Sequence, residues 1–538
     1  MRDGSSGRRR RRALGLLLGL AMLAGCSGGT SEMHPRPAPV AQAGPAVVQT
    51  AAGAVRGLVA PGYRVFDGVP YAAAPVGSLR WQPPQPAAPW PGVRDATTPG
   101  MRCIQDTTLD PDYGRPTGED CLNLNVWTPD GASRSSQKPV MVWIHGGGFL
   151  NGSADIYDAR WMATQGDIVV VTVNYRLGTL GFLAHPALSP DGNIGNYGLA
   201  DQQAALRWVR DNIAEFGGDP TKVTIAGESA GAMSVCDHLV APDSAGLFRA
   251  AIMQSGPCQA QADRATATRV STEYATSAGC SDPDAVATCL RSLPTRDLRR
   301  APLYVRFGPD KLTGPVTGTD RLPVDPMADV ALSRVPKIPV LIGSNGDEFA
   351  MFAALQYLKD HGLPPYPTLL SDTFGPDAAA VAEHYPLDRY GGNEGLTYSA
   401  AVTDSIFACP TDKIASGLAH TNPVYAYEFN DRTAPAPDPL RAVPFPVGAS
   451  HSLELRYLFD VGGAPPLNPA QRELSDQMVS YWSQFVKNGT PEVSGLPDWP
   501  QLGADGRRMS LQTGQLTITT DFNTRHQCPF WATLKGTR

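Results

Sequence analysis

One short segment, residues 223–236, limits the folds that this chain can adopt. It reads Val-Thr-Ile-Ala-Gly-Glu-Ser-Ala-Gly-Ala-Met-Ser-Val-Cys, so an apolar run suited to a buried strand leads into small residues suited to a helix. Ser229 lies on the turn between them, and Gly227 and Gly231 permit a turn sharp enough to lift its hydroxyl clear of a sheet. The pattern predicts a nucleophile elbow, with the backbone N–H of Ala230 facing the same space. An ordinary turn serine is the alternative for so short a motif.

Apolar runs of strand type surround this segment. Residues 140–144, 168–173 and 223–226 are continuous apolar runs, and residues 199–216 carry apolar side chains at helical spacing. Buried strands that alternate with helices are typical of a parallel sheet covered on both faces. The sequence therefore predicts an α/β fold, with further strands at 55–59, 63–66, 122–127, 250–253, 340–342, 424–429 and 516–519.

The first 25 residues have the features of an export signal. A basic stretch at 8–12 precedes a short apolar run at 13–20, and small residues then lead to Cys26. The pattern is similar to a bacterial lipoprotein signal, which predicts cleavage before Cys26 and a lipid on that cysteine. An ordinary secretory signal is the alternative, and Arg11 with Arg12 leaves twin-arginine export open. Because the apolar run is too short to span a bilayer, we expect an exported protein that contacts the membrane only through the lipid, or a secreted one without it.

The rest of the chain reads as a tether and one large domain. Residues 26–46 are rich in glycine, serine, proline and alanine, a composition that predicts a flexible linker. We see no second linker and no internal repeat in residues 47–538, so we expect a single domain there. Two long stretches between strands, near 263–331 and 351–420, are expected to be insertions that roof a site or shape its entrance.

Charge and cysteine content bear on the function class. Residues 1–25 hold six arginines and one aspartate, and the rest of the chain has 39 basic and 50 acidic residues, a net charge of −11. This balance argues against a nucleic-acid partner. Of the nine cysteines, eight remain when Cys26 is set aside, and none form a CxxC pair. In an exported chain this number favours four disulfides over a metal site, although spacing alone does not give their pairing.

A glycine-rich loop follows the strand predicted at 140–144. It reads His145-Gly146-Gly147-Gly148, and consecutive glycines let backbone N–H groups converge on one point. The loop lies where an acyl-transfer site needs a second set of oxyanion donors. A flexible glycine turn is the alternative. His145 precedes the loop, and we expect it to be structural rather than catalytic.

An acid and a base are expected at the ends of later strands. Asp347 and Glu348 follow the strand at 340–342, and either carboxylate could orient an imidazole. Among the later histidines, only His451 lies in a long loop directly after a strand, which makes it the best candidate base. A serine, an acid and a histidine in this chain order are typical of α/β-hydrolases. The other histidines lie in the inserted region, before a strand or near the C terminus, at His361, His384, His420 and His526.

Beside the elbow, the chain contains several further motifs: Phe-Asp-Gly-Val-Pro-Tyr-Ala at 66–72, Leu-Arg-Trp at 79–81, Glu-Asp-Cys-Leu-Asn-Leu-Asn-Val-Trp at 119–127, Asn-Tyr-Arg-Leu-Gly at 174–178, Gly-Asn at 195–196 and Asp-Gln at 201–202. With these motifs the chain resembles the type B carboxylesterases, the family that includes cholinesterases and bacterial para-nitrobenzyl esterases. The resemblance implies an α/β-hydrolase fold, with a large, mostly parallel sheet and helical insertions that form a gorge or cap. It implies Ser229 as nucleophile, Glu348 rather than Asp347 as acid and His451 as base. Gly147, Gly148 and Ala230 match the oxyanion-hole amides.

The resemblance also implies three disulfides and shows some departures. Cholinesterases carry a tryptophan in the loop that the first disulfide closes, whereas Tyr113 is the one aromatic residue of that loop here. A preference for choline esters is therefore not expected. Phe349 and Ser452 stand where glycine commonly follows the acid and the histidine, and neither change removes a catalytic group. The family's pairs match Cys103 with Cys121, Cys280 with Cys289 and Cys409 with Cys528, and elimination leaves Cys236 and Cys258 as a fourth.

The function that the resemblance implies is a serine carboxylesterase that acts on small-molecule esters through an acyl-enzyme, without a metal or organic cofactor. A lipase acting on aggregated lipid and a non-catalytic binding or adhesion protein are the alternatives. The acyl and alcohol preferences and the oligomeric state are not readable from the sequence. Four aromatic residues are either walls of the substrate pocket or ordinary core: Tyr304, Phe307, Phe352 and Tyr357.

Overall fold

The computed structural model of the protein describes residues 46–105, 115–189 and 192–534. The predicted signal and most of the tether with Cys26 lie outside these residues, and so does Tyr113. At the centre is a sheet of 13 strands in the order β1-β2-β3-β5-β7-β6-β8-β9-β10-β11-β12-β13, with β4 beside β2. The strands are β1 Ala46–Gln49, β2 Ala54–Ala60, β3 Tyr63–Pro70, β4 Val93–Asp95, β5 Asn123–Pro129, β6 Lys138–Ile144, β7 Val169–Val173, β8 Gly218–Glu228, β9 Ala250–Gln254, β10 Val340–Asn345, β11 Val424–Phe429, β12 Arg508–Leu511 and β13 Thr517–Thr519.

The sheet is parallel in its middle and mostly antiparallel at its edges, where only β4 runs parallel to its neighbour β2. Strands β7, β6, β8, β9, β10, β11 and β12 are parallel neighbours. Strands β1, β2, β3 and β5 run antiparallel to one another, β5 pairs antiparallel with β7, and β13 closes the far edge antiparallel to β12. The predicted α/β fold with a mostly parallel sheet is confirmed, and the antiparallel edges add to it.

The central strands form where the sequence is continuously apolar. Every residue of β7 and the last five residues of β6 are buried, as expected for strands covered on both faces. Strand β8 extends to Glu228, two residues past the predicted strand end, so Ser229 directly follows it. Carboxyl ends of parallel strands meet at one edge of a sheet, and the residues after β6, β8, β10 and β11 therefore come together.

Helices cover both faces of the sheet. The helix predicted at 199–216 is α3 with a 3-10 turn at Ile213–Phe216, and Gly217 ends it at φ 91°. The helices are α1 Arg160–Thr164, α2 Gly178–Phe182, α3 Tyr197–Asn212, α4 Ala230–Val240, α5 Arg264–Ser277, α6 Val286–Ser292, α7 Pro326–Ala331, α8 Ala350–Asp360, α9 Tyr366–Phe374, α10 Ala378–His384, α11 Glu394–Thr403, α12 Cys409–Ala419, α13 Pro469–Asn488, α14 Phe522–Arg525 and α15 Cys528–Trp531.

The stretches 263–331 and 351–420, expected to be insertions, contain α5 to α7 and most of α8 to α12.

Four disulfides join Cys103 to Cys121, Cys236 to Cys258, Cys280 to Cys289, and Cys409 to Cys528. The last of these joins the start of α12 to the start of α15 and so fixes the C-terminal segment. None of the helices within the described residues has the length and apolar character needed to cross a membrane.

Candidate active site

Ser229 lies on a strained turn between β8 and α4. Its backbone has φ 53° and ψ −126°, a conformation that residues other than glycine rarely adopt and that is concentrated at functional sites. Its N–H donates to the carbonyl oxygen of Gln254 at 2.9 Å. A Cβ on Gly227 would lie 2.5 Å from the carbonyl carbon of Gly231, and one on Gly231 would lie 2.0 Å from the carbonyl oxygen of Ile144. Both flanking glycines are therefore required for this turn.

His451 lies in the loop after β11, and its imidazole is held by Glu348, which lies in the turn after β10. The His451 Nδ1 atom lies 2.6 Å from Glu348 Oε2, and both side chains are fully buried. The two main chains also meet, because the N–H of His451 donates to the carbonyl oxygen of Glu348 at 3.2 Å. The other carboxylate oxygen, Glu348 Oε1, accepts the N–H of Asn345 at 2.7 Å.

Asp347 takes a different position from Glu348, although their place after the strand left both open as the acid and only the family resemblance favoured Glu348. Its Oδ2 atom accepts Arg432 Nε at 2.9 Å and the N–H of Ala449 at 3.0 Å. Its own N–H donates to the carbonyl oxygen of Ala449 at 3.0 Å. Asp347 therefore ties the turn after β10 to the loop that carries His451, while Glu348 bonds the imidazole.

The other ring nitrogen of His451 faces a second carboxylate. His451 Nε2 lies 3.1 Å from Glu228 Oε1, and no hydrogen bond to Nε2 forms within the described part of the chain. Burial alone would lower the pKa of His451, but Glu228 and Glu348 outweigh it and raise the pKa to about 9. The environment of the imidazole thus stabilises its protonated form.

Two buried carboxylates beside the triad candidates were not found from the sequence. Glu228 Oε1 accepts the hydroxyl of Ser452 at 2.5 Å. Glu454 accepts Asn345 Nδ2 at 2.6 Å and Gln254 Nε2 at 3.2 Å. Burial, with Glu228 and Glu348 nearby, raises the pKa of Glu454. The signal that the sequence offered was the position of these two residues. Glu228 directly precedes the serine, and Glu454 follows the histidine by three residues.

Ser452 shows how the chain accommodates a departure from the family pattern. Its backbone is left-handed, with φ 66°, which explains why glycine is common there. Serine accepts this conformation and adds the hydroxyl that donates to Glu228. Phe349 is the other residue that stands where the family commonly has glycine. Its N–H donates to Thr403 Oγ1 at 2.9 Å, and its ring packs on Phe352 with centroids 5.3 Å apart.

The loop after β6 lies directly against the elbow. A Cβ on Gly146 would lie 2.9 Å from Ser229 Cβ, and one on Gly147 would lie 2.1 Å from the carbonyl oxygen of Asn151. Gly147 and Gly148 have φ of 102° and 61°. In the part of the chain that the structure describes, the N–H groups of Gly147, Gly148 and Ala230 donate to no protein acceptor. These amides are thus available to an oxyanion at the serine.

His145 is part of the packing. Its ring stacks on Tyr175 with centroids 4.4 Å apart, and its Nδ1 lies 2.8 Å from the carbonyl oxygen of Gly146. Burial lowers the pKa of His145 to about 4, so the imidazole is neutral. His526 is also buried, between Asp404 and Glu428, and does not contact Ser229.

Aromatic rings surround the imidazole of His451. Phe352 and Phe407 each lie 5.1 Å from it by ring centroids, and Phe307 lies 5.3 Å from Phe407. Tyr304, in contrast, donates its hydroxyl to carbonyl oxygens in the core. Of the four aromatic residues considered from the sequence, Phe352 contacts the site, Phe307 lies one ring behind it, and Tyr304 and Tyr357 pack elsewhere. No cluster of metal-ligating side chains occurs among the described residues.

Comparison with known proteins gives a consistent result. The sequence profile of the carboxylesterase family matches residues 44–531. The chain is 34% identical to an acylcarnitine hydrolase of Rattus norvegicus over 485 residues, which cover 84% of each chain. It is 35% identical to a pyrethroid hydrolase of the same species over 84% of this chain and 82% of the relative. It is 34% identical to the cocaine esterase of Homo sapiens over 87% of each.

Proposed function

The chain belongs to the carboxylesterase family and is a carboxylic ester hydrolase, and we propose that Ser229, Glu348 and His451 carry out the hydrolysis. The observation that supports this most directly is the buried 2.6 Å contact between His451 Nδ1 and Glu348, in the same site as a serine on a strained elbow. Three amides without protein acceptors, those of Gly147, Gly148 and Ala230, complete the arrangement.

The first half of the reaction transfers the acyl group to the enzyme. His451 Nε2 accepts the hydroxyl proton of Ser229 as the serine oxygen bonds to the ester carbonyl carbon. Negative charge develops on the carbonyl oxygen, where the three amides donate hydrogen bonds. The imidazolium then gives its proton to the alkoxide as the ester C–O bond breaks, and the alcohol leaves.

The second half releases the acid. Water attacks the acyl-enzyme, His451 accepts its proton, and the serine oxygen departs with the proton returned. Glu348 holds Nδ1 as the protonated nitrogen, so Nε2 is the one that exchanges protons. No metal or organic cofactor enters these steps.

We propose small-molecule esters as substrates. Ser229 is only 6% exposed, and the aromatic rings of Phe352 and Phe407 pack around the histidine, which suits a single ester molecule in an enclosed pocket. The names of the relatives, acylcarnitine hydrolase, pyrethroid hydrolase and cocaine esterase, support the same class. A lipase would instead gain activity when its substrate passes from monomers to emulsion.

The direct test is hydrolysis of para-nitrophenyl acetate, octanoate and palmitate by the mature chain and by Ser229→Ala. We expect turnover of monomeric esters that is lost in the variant, together with loss of labelling by a fluorophosphonate. Labelling of Ser229→Ala, with its fold intact, would refute the assigned nucleophile. A rate increase confined to emulsified palmitate would favour the lipase, and a folded protein inert to the whole series would favour a binding protein.

We also propose that the protein is an exported lipoprotein. Residues 1–25 serve as the signal, Cys26 carries the lipid, and residues 26–46 tether one domain of residues 47–538 to the membrane. The four disulfides are typical of extracellular or secretory-type proteins, which supports export. The basic and apolar run before Cys26 supports lipidation.

A further inference from the structure

A cavity lies beside the acid turn but outside the active site. Its volume is about 530 Å³, and it is bordered by the start of α8, by α11, and by loops around 432 and 446–448. None of Ser229, Glu348 and His451 lines it. Asp347 does line it, whereas the next residue, Glu348, bonds the histidine. The two compartments therefore share one turn without sharing a side chain of the triad.

Two guanidinium groups in the cavity wall have unused donors. The guanidinium of Arg389 has no carboxylate within ion-pair distance among the described residues, and its closest recorded contact is the ring of Tyr390, whose centroid lies 6.0 Å from the guanidinium carbon. Arg432 bonds Asp347 through Nε at 2.9 Å, and its two terminal amino groups have no partner in the described ranges. Because both arginines are exposed, a ligand entering from solvent meets them first.

The two aspartates in the wall are already compensated. Asp347 is bonded by Arg432 and by the N–H of Ala449. Asp404 contacts His526 Nδ1 at 2.5 Å and accepts the hydroxyl of Tyr385 at 2.6 Å. The cation of Arg525, also in the wall, is paired with Glu428. The charge left without a counter-charge is therefore the positive charge of Arg389.

A buried hydroxyl and an apolar surface complete the wall. Ser399 is 4% exposed, and its Oγ atom has no hydrogen-bond partner among the described residues. A buried hydroxyl without a hydrogen-bond partner is unfavourable. A ligand that places a hydrogen-bond acceptor at this point would therefore remove that free-energy cost. On α11, Leu396 and Ala400 lie beside Ser399, and Ala350 and Pro446 extend the apolar surface.

We propose that this cavity binds a small organic carboxylate, with its carboxylate at Arg389, Arg432 and the hydroxyl of Ser399 and a compact apolar body against the apolar side chains of α11. A planar carboxylate matches the fork of a guanidinium. The apolar wall favours an organic acid over an inorganic anion. The proposal does not depend on the roles assigned to Ser229, Glu348 and His451, since none of these residues contributes to the cavity.

The test uses benzoate as the probe, with the full mature chain and binding followed by saturation-transfer NMR titration. Arg389→Ala should weaken benzoate binding about tenfold, the loss expected for one charge-assisted hydrogen bond. Arg472→Ala, an exposed arginine on α13, is the matched control and should bind as the parent does. Benzamide, which has the same ring without the charge, should bind about tenfold more weakly than benzoate.

A second variant tests the buried hydroxyl. Ser399→Ala should also weaken benzoate binding but should not lower the melting temperature, because the hydroxyl has no partner in the free protein. Equal benzoate affinity in the parent and Arg389→Ala would refute the proposal, since the probe would then bind elsewhere. Benzamide binding as tightly as benzoate, or inorganic phosphate binding more tightly than benzoate, would refute the assigned ligand class.

Discussion

At the scale of single residues, the site combines one imidazole with more carboxylates than a triad needs. Glu348 bonds Nδ1 of His451, Glu228 lies 3.1 Å from Nε2, and Glu454 is close to both acids. A base must be neutral to accept the serine proton, yet the two flanking carboxylates raise the pKa of His451 to about 9. Glu228 therefore favours the protonated histidine that forms during the reaction and opposes the neutral one that begins it.

This arrangement predicts the pH dependence of a Glu228→Gln variant. Removing the charge removes one of the groups that raise the pKa of His451, so the histidine becomes neutral at lower pH. The acidic limb of kcat/KM should move to lower pH by about one unit or more. Profiles of the parent, Glu228→Gln and Glu454→Gln would be compared. Because Glu454 makes no direct contact with the imidazole, a larger shift in Glu454→Gln than in Glu228→Gln would contradict the assignment.

The glycine loop allows a second prediction at this scale. In Gly147→Ala the new Cβ would lie 2.1 Å from a backbone oxygen, at a residue with φ 102°, so the loop must move. Displacing one oxyanion donor should lower kcat by about 10²-fold to 10³-fold. Gly503→Ala is the control, because its Cβ would meet only the side chain of Asp505 at 3.1 Å. A Gly147→Ala enzyme with normal kcat and an unchanged fold would exclude this amide from the oxyanion hole.

At the scale of elements, the disulfides join segments that the sheet does not. Cys236 on α4 is bonded to Cys258 just after β9, so the helix that follows Ser229 is fixed to the strand whose Gln254 carbonyl oxygen accepts the N–H of Ser229. The spans closed by the other pairs differ widely: the sequence separation is 119 for Cys409 and Cys528 but only 9 for Cys280 and Cys289.

Loop length predicts how much each bond stabilises the fold. Replacing both cysteines with alanine should lower the free energy of unfolding by about 5, about 3 and about 2.5 kcal/mol for separations of 119, 22 and 9 residues. Urea midpoints of the three double variants against the parent measure this order. A loss for the Cys280–Cys289 pair that exceeds the loss for the Cys409–Cys528 pair would show that local packing, rather than chain entropy, sets the effect.

The elements also show what the sequence can predict. Strands β6, β7 and β8 were predicted because they are continuous apolar runs, and the elbow because strand, glycine-flanked serine and helix follow one another. Strand β12, Arg-Met-Ser-Leu, and helix α13 were missed. Helix α13 has a capping box at Asn468 and is followed by Gly489. Both are helix-end signals that the sequence contains. The positions of Glu228 and Glu454 beside the serine and the histidine were also visible in the sequence, but the contacts of Glu228 with the imidazole and with Ser452 were not, because these form only when β8 and the loop after β11 meet.

At the scale of the whole molecule, we propose that the hydrolase domain works independently of its proposed attachment to the membrane. The described fold begins with β1 at Ala46, and the proposed tether occupies the residues just before it. A segment so rich in glycine, serine, proline and alanine does not contribute to a packed core. Catalysis should therefore be independent of the lipid, and location should depend on it.

A Cys26→Ser variant tests this separation in the producing cell. The parent should fractionate with membranes and be released by detergent, since two acyl chains give stable anchoring where one is marginal. Its N-terminal peptide should carry a lipid mass on Cys26. Cys26→Ser should lose both properties while keeping the kcat/KM of the parent on para-nitrophenyl acetate, and Ser27→Ala should behave as the parent. A parent found free of membranes with an unmodified N terminus would instead identify a secreted enzyme, because the same four disulfides require an oxidising compartment whether or not a lipid is attached.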